Sequence, residues 1–564
     1  MLTAIQVGNF KAFAETQRIP LRPLTLIYGA NSSGKSSILH SLVLARNAQE
    51  TGDFDAHRTS VGGESVDLGG FRQYVHRRDL DKSVEWSAEL NTKSFSGNVG
   101  EMLAPVSKIT LSLGIGLPQI EEMAEREGID TRTGQKILMK VPTGNLIPAG
   151  TPEITSYSLQ GDGQLLIQMS KKRDGNLQLD RLDYDHPVFR EVIKAMVLLS
   201  TTTETIHPED FEGLEETISE LVPNLIARRT RFLPEGLSES SVFSPSGQQL
   251  FFPISKARRS EELSAAVHSF LPRKIDDLLR GVSQIVAGEI SSLRYLGPLR
   301  SYPPRHLAFS QHHDPNWYAG GGYAWDVIRR DENVRKLVNE WLSANDRLQT
   351  PYELRIRHLL TIDDLDNDYT QIIEQIEHRF TEEGPYDWDL FGEIYLVLEK
   401  IKKNEANLGD IQELILVDRR SDTIVSHRDV GIGVSQVLPV LVGAYASKNQ
   451  IIAIEQPEIH LHPALQADLG DVFIQSAIGE NKNRFLIETH SEHLLLRIMR
   501  RMRETNAGKL PEGCLPVRPE DVMVLFVEPD GSRSIVREMP LNENGELVKA
   551  WPGGFFEEGL REIF

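Results

Sequence analysis

The residues best suited to chemistry lie in three short runs far apart in the chain. GANSSGKS, Gly29 to Ser36, fits the phosphate-loop pattern at every fixed position, with an apolar strand before it and an amphipathic helix after it. In such a loop the glycines let backbone amides wrap phosphate oxygens, Lys35 reaches the outer phosphates, and the Ser36 hydroxyl can ligate magnesium. Asn31, Ser32, Ser33, Gly34 and Ser37 complete the expected cradle. A chance serine-glycine turn is the plainer reading, and the flanking strand and helix argue against it. In the second run, IIAIEQPEIHLHP (Ile451 to Pro463), four apolar β-formers bring Glu455 to a strand end. There a carboxylate can hold magnesium directly or through water. An acid ending a strand is common, so Glu455 gains meaning only beside the phosphate loop. The third run, FLIETHSEHLL, is another strand ending in a turn before a helix, with His490 in the turn. A histidine there can donate to a terminal phosphate or hold an attacking water; alone, it reads equally well as a surface histidine at a helix start.

Positioning these groups requires an α/β sheet. LTAIQVGNF, LTLIY and SSILHSLVLAR read as strand, strand and helix, with Ile38, Leu39, Leu42 and Val43 on one helical face. From Ser83 to Ser170, alternating runs such as VEWSAEL, KITLSLGI and GQLLIQMS predict antiparallel strands. Between Pro187 and Leu279 the spacing turns helical, as in FEGLEETISELV and EELSAAVHSFL. A helix over VRKLVNEWLSA and a hairpin over LILVDRRSDTIVSHRD follow. The strands IIAI and RFLIE, each followed by a helix, complete the C-terminal half. The two halves, separated by an insertion, must therefore close one sheet.

Bulk composition narrows the partners. A chain of 564 residues with 40% hydrophobic and 25% charged content predicts a globular protein of several structural units. Its net charge of −20 opposes indiscriminate binding to nucleic acid or anionic membrane, so any DNA or RNA contact must be local. Candidate patches are ARRTR (227–231), KARR (256–259) and RIMRRMR (497–503), each of which reads more simply as a solvated face. Arg300 and Arg305, in GPLRSYPPR, could be held near a phosphate by a rigid loop, or simply be ion-paired. A single cysteine, the lack of a membrane-length apolar run and the lack of a signal-like N-terminus predict a cytoplasmic protein. No heptad pattern is long enough for a coiled-coil arm.

Together, GANSSGKS, DVGIGVSQVLPVL, AIEQPEIHLHP and IETHSEHLL resemble the ABC-type ATPase heads of the SMC and RecF kind, and most closely the AAA-family ATPases of the OLD type. YLGPLR, VNEWL and the tail WPGGFFEEG resemble the subgroup with a short uncharacterised C-terminal domain. The resemblance covers roughly residues 1 to 75 and 290 to 564. It implies an α/β fold: an ABC-type P-loop head, a mixed sheet flanked by helices, interrupted by a large mixed α+β insertion. The expected boundaries are 1–115 for the N-terminal lobe, 116–290 for the insertion, 291–410 for a linking segment, 411–505 for the C-terminal lobe and 506–564 for the small domain. It further implies ATP with Mg2+ held by Ser36 and Glu455. Gly433 and Ser435 stand in the signature segment that faces a partner's nucleotide, His490 at the switch position, Gln73 at the Q-loop and His462 at the D-loop.

The same resemblance implies at least a dimer during turnover. Gln456 stands where such heads usually carry the general base. An amide cannot take the proton but can orient water, and Glu458 lies close enough to be the alternative base, so slow hydrolysis is expected. OLD-type nucleases carry a Toprim domain after the switch histidine. VLFVEPDGS superficially resembles a Toprim strand, but no later Asp-x-Asp pair completes a metal site, and a hairpin turning at PDGS explains it better. An intrinsic nuclease is not expected. By analogy the chain is a sensor ATPase gating a separate nuclease or toxin in prokaryotic antiphage defence. The alternatives are a RecF-like DNA-repair ATPase and a nucleotide-dependent structural switch.

Overall fold

The computed structural model describes residues 1–129, 136–172, 175–198, 214–227, 231–237, 259–300, 316–344, 350–359, 411–426 and 432–554, with residues 374, 378, 392 and 395. They divide into two compact units, Met1–Pro298 with Ser447–Glu458 and Gln466–Phe564, and Leu299–Ala446 with Ile459–Leu465.

The first unit is built on two sheets. Strands β1 (Leu2–Gly8), β2 (Gln17–Pro20), β3 (Leu24–Gly29), β4 (Val84–Asn91), β5 (Lys108–Gly116), β6 (Gln119–Ile129), β7 (Lys136–Pro148), β8 (Glu153–Gly161), β9 (Gln164–Lys171) and β10 (Leu177–Leu182) occupy its N-terminal part. Among the described residues, seven of them form an antiparallel sheet in the order β10-β9-β8-β5-β4-β1-β2, while β6 and β7 pair as a separate ribbon. Antiparallel sheets with one face packed and one wet show alternation, and Lys108 to Leu113 alternates in this way. The boundary expected near residue 116 falls inside this sheet, because β5 and β8 hydrogen-bond directly.

The second sheet of this unit carries the predicted site. It adds β11 (Leu293–Leu296), β15 (Ile451–Glu455), β16 (Arg484–Glu488), β17 (Val522–Asp530) and β18 (Arg533–Glu538) to β3, in the order β11-β15-β16-β3-β17-β18. All neighbours are parallel except the β17–β18 hairpin. Its strands read as unbroken apolar runs because both faces are covered: every residue of β3 and β15 is buried. The expected closure of the two chain halves is realised by β16, which inserts between β15 and β3. VLFVEPDGS forms a hairpin, turning at Gly531 with φ 63°. Its first strand lies so close to β3 that a Cβ on Gly29 would sit 2.3 Å from the Val527 carbonyl oxygen, at a φ of 149°. Only glycine fits there. Trp551, from the WPGG tail, packs its ring edge against Tyr28 and Phe526.

In the second unit, β12 (Tyr352–Leu359), β13 (Ile411–Asp418) and β14 (Thr423–Val425) form an antiparallel sheet, the last two being the expected hairpin. The VNEWL helix runs from Glu332 to Ser343, capped by Asp331, whose carboxylate accepts the amides of Asn333 and Val334. It buries Val334, Val338, Trp341 and Leu342 on one stripe. No helix among the described residues is long and apolar enough to cross a membrane.

Candidate nucleotide site

The phosphate loop leaves β3 at Gly29 and enters the helix Lys35–Thr51 through Gly34, whose φ of 94° places it in the left-handed region. A Cβ there would lie 2.5 Å from that of Ala12, so the loop is pinned against the turn between β1 and β2. Asn31 and Ser32 are exposed, Ser36 is half-buried, and Ser33, Lys35 and Ser37 are buried. The Lys35 ammonium donates to the carbonyls of Gly29 and Ala30 at 3.1 and 2.9 Å. The Ser33 hydroxyl is buried without a hydrogen-bond partner among the described residues, an orphaned group in a loop shaped to meet phosphate oxygens.

Three acids converge on this lysine. Glu455 ends β15 and Glu488 ends β16, as direct cross-strand neighbours. Glu458 lies just beyond β15. All three are at least nine-tenths buried. Burial lowers the Lys35 pKa, and the fields of Glu488, Glu458 and Glu455 pull it back up. Glu488 lies 3.9 Å from the Lys35 ammonium. Burial and the neighbouring Glu455 push its carboxyl up to about 7, against the opposing pull of Ser36 and Lys35.

Glu455 is clamped in place. The Tyr295 hydroxyl, on β11, donates to its Oε1 at 2.9 Å, and His40 Nε2, on the loop helix, lies 3.2 Å from the same atom. Lys11 Nζ in turn meets His40 Nδ1 at 2.7 Å. Burial lowers the His40 pKa more than its hydrogen bond to Glu455 raises it, and burial brings Lys11 down to about 8. With His40 neutral, an ammonium on its Nδ1 selects the tautomer whose Nε2–H points at Glu455.

Glu458 is engaged differently. It accepts the Thr489 hydroxyl at 2.8 Å on one oxygen and the His490 amide at 2.7 Å on the other. Both oxygens thus brace the switch turn. Gln456, half-buried, takes a positive φ of 45° and sends its backbone amide to the Glu488 carbonyl at 2.7 Å. His490 is half-buried, its pKa lowered by burial and by the nearby Lys35 charge.

Gln73 is exposed on the short helix Phe71–Tyr74. Gly433 and Ser435 begin the helix Ile432–Ala446 of the second unit, where a Cβ on Gly433 would lie 2.8 Å from the His460 carbonyl oxygen and Ser435 is fully buried. Asp429 to Gly431 lie outside the described residues. His462, also in the second unit, accepts the Ala464 amide on Nδ1. Arg300 is not offered to a ligand: it is 4% exposed, and it exchanges hydrogen bonds with Gln436. Arg305, Arg228 to Thr230 and Lys256 to Arg258 lie outside the described residues. In RIMRRMR, Arg497 pairs with Asp468 and Asp471, Arg501 with Asp471 and Glu504, and Arg500 with Glu504, so three of its four arginines are ion-paired within the chain. Sequence reasoning missed Lys11, His40, Tyr295 and Glu488. Only Glu488 carried a local signal, as an acid ending an apolar strand beside a candidate histidine.

The chain matches family models described as an AAA domain over residues 4–181, an AAA ATPase domain over 330–495 and a protein of unknown function, DUF3696, over 517–564. A curated relative, the DNA replication and repair protein RecF of Chlorobium phaeobacteroides (strain BS1), is 32% identical over 130 residues. That match spans 21% of this chain and 36% of the relative's length. Similar solved structures include an SMC head bound to the C-winged helix domain of ScpA, at 10% identity and a TM-score of 0.33, covering 96% of this chain and 98% of that one. The SMC head domain from Thermotoga maritima follows at 9% identity and 0.31, covering 96% and 99%. Two stretches of the chain thus match AAA ATPase domain models and one resembles part of RecF, on an α/β P-loop fold with a large α+β insertion, and residues 517–564 match DUF3696.

Proposed function

We propose that this protein is a slow, magnesium-dependent ATPase that pairs through its heads and uses the ATP-bound state to gate a separate effector, a nuclease or toxin, in antiphage defence. The observation that carries the ATPase part is the convergence of Lys35, Glu455 and the switch turn at neighbouring strand ends, where ligands of open α/β sheets bind. Ser36 and Glu455 would hold the metal, which supplies charge neutralisation between the outer phosphates. Lys35 would move from its carbonyl partners to those phosphates. Gln456 would orient the attacking water, and His490 would donate to the terminal phosphate, while Glu458 keeps the switch turn in register. Without a carboxylate at position 456 no strong base faces the water, and turnover is slow.

The resemblance to OLD-type ATPases supports the defence role. A RecF-like role at DNA ends or gaps is the second reading, favoured by the RecF match. Phosphate release from the full chain, with and without gapped or blunt DNA, tests both. A wild-type rate no higher than that of Lys35→Ala would sink the ATPase reading. Strong stimulation by gapped DNA would favour repair. Gln456→Glu should raise the rate if the missing carboxylate is limiting.

A further inference from the structure

Beyond Ser36 and Glu455, one buried acid at the strand ends has no assigned role. We propose that Glu488 is a second magnesium carboxylate of the nucleotide site, facing the same cation as Glu455. The inference rests on the ATPase reading of this site and deepens it.

Glu488 ends β16 directly beside Glu455 on β15, about 4.8 Å away across a parallel strand pair. On its other side β16 pairs with β3, which delivers the phosphate loop. The Glu488 side chain is 7% exposed, takes a hydrogen bond from the Ser36 hydroxyl and lies 3.9 Å from the Lys35 ammonium. Its Oε2 is buried and has no hydrogen-bond partner among the described residues. A carboxylate oxygen kept dry and unmatched, beside the hydroxyl and the acid that would hold the metal, is placed for a cation.

The donor set has the right chemistry. Among the described residues no group of three or more histidine, cysteine or acidic side chains could hold a metal by itself. Magnesium in nucleotide sites instead takes one or two carboxylates and completes its shell with phosphate oxygens and water. Glu455 and Glu488 with Ser36 make such an incomplete set. Both present partners of Glu488 are also groups that nucleotide would recruit, Lys35 to the phosphates and Ser36 to the metal. Nucleotide binding would thus leave Glu488 needing a new positive partner.

The test is the metal dependence of nucleotide affinity in the full chain, with a fluorescent non-hydrolysable ATP analogue titrated with and without Mg2+. For Glu488→Gln, metal-free affinity should equal or exceed that of the wild type, because one negative charge beside the phosphates is gone. The gain on adding Mg2+ should fall at least tenfold, and the spin-resonance spectrum of bound Mn2+ should change. An undiminished gain, or an equal loss with and without metal, would overturn the assignment. Glu488→Asp reads the same quantity should the glutamine variant not fold: it should lose at least threefold of the gain, and a wild-type gain there would also overturn it. A wild type that shows no nucleotide binding at all would remove the ATPase reading itself, and this inference with it.

Discussion

Two clusters of charge in the first unit follow opposite rules. On the helices Pro463–Ile478 and Glu492–Asn506, Asp468, Asp471 and Glu504 face Arg497, Arg500 and Arg501, acid for base. Burial alone would raise the Asp471 carboxyl, but the Arg501 and Arg497 guanidinium groups more than reverse this and hold it low. Asp471 in turn raises Arg501. At the strand ends, Glu455, Glu458 and Glu488 face Lys35 and Lys11, and burial moves every shifted group there toward its neutral form: Glu488 up, Lys35, Lys11, His40 and His490 down. The first cluster is complete within the chain. On the function proposed above, the second is completed by charges that come from outside, and that difference would separate a structural ion-pair network from a ligand site better than the pKa shifts alone.

The contrast breaks most decisively at Lys35. Lys35→Ala removes the cation that meets both the acids and the expected phosphates. Phosphate release should fall at least about a hundredfold, as for other preorganised charge-stabilising groups. A residual rate within tenfold of wild type would place the nucleotide elsewhere. Arg501→Ala should do the reverse, leaving nucleotide affinity unchanged while costing about 2–3 kcal/mol of stability, because Asp471 keeps only Arg497. A lowered melting temperature with unaltered nucleotide titration is the expected result.

Acid pH sharpens the same comparison. The folded-state pKa of Asp471 lies below its unfolded value, so the unfolded chain binds the extra proton as pH falls. The pair's stabilisation is therefore fully present above about pH 4, the ordinary aspartate range, and is lost as pH drops through the folded value. The melting-temperature gap between wild type and Arg501→Ala should stay constant from pH 7 to pH 5 and narrow below pH 4. A gap that persisted there would mean that packing, not charge, makes the difference.

The sequence disclosed these two clusters unequally. GANSSGKS and the strand IIAIE are local signals, because a phosphate loop and a doubly buried strand are specified by adjacent residues. The clamp on Glu455 was invisible because it gathers Lys11 from the β1–β2 turn, His40 from the loop helix and Tyr295 from β11, 160 positions from the acid it holds. Glu488 stood in plain view in FLIETH, but its meaning depends on β16 inserting between β15 and β3, a fact of topology. RIMRRMR reads from sequence more simply as a solvated face than as a phosphate-tracking patch, but only the facing helix shows that Arg497 meets Asp468 and Asp471. Glu458, a candidate base from its spacing alone, has both oxygens occupied by the switch turn.

If the strand-end acids are an unfinished charge cluster, removing one of them should stabilise the empty protein. Glu488→Gln should raise the melting temperature of the nucleotide-free chain, whereas Asp471→Asn should lower it, opposite signs for the same chemical change in two buried acids of one unit. Two decreases would mean that Glu488 is a structural partner of Lys35 and nothing more.

The smallest expected effect probes the clamp. Tyr295→Phe keeps the ring and deletes one hydrogen bond to Glu455, which retains His40 at 3.2 Å. A hydrogen bond to a charged group contributes about 1.5–3 kcal/mol when nothing replaces it, and His40 and water should restore part of that. The magnesium-dependent nucleotide affinity should therefore fall about three- to tenfold, with metal-free affinity unchanged. A loss of both in equal measure would show that Tyr295 supports the sheet edge rather than the orientation of the carboxylate. If Lys11→Met reproduced the metal-specific loss, Lys11, His40, Glu455 and Tyr295 would act as one linked unit, because Lys11 both orients the histidine that meets the acid and adds its own charge beside it.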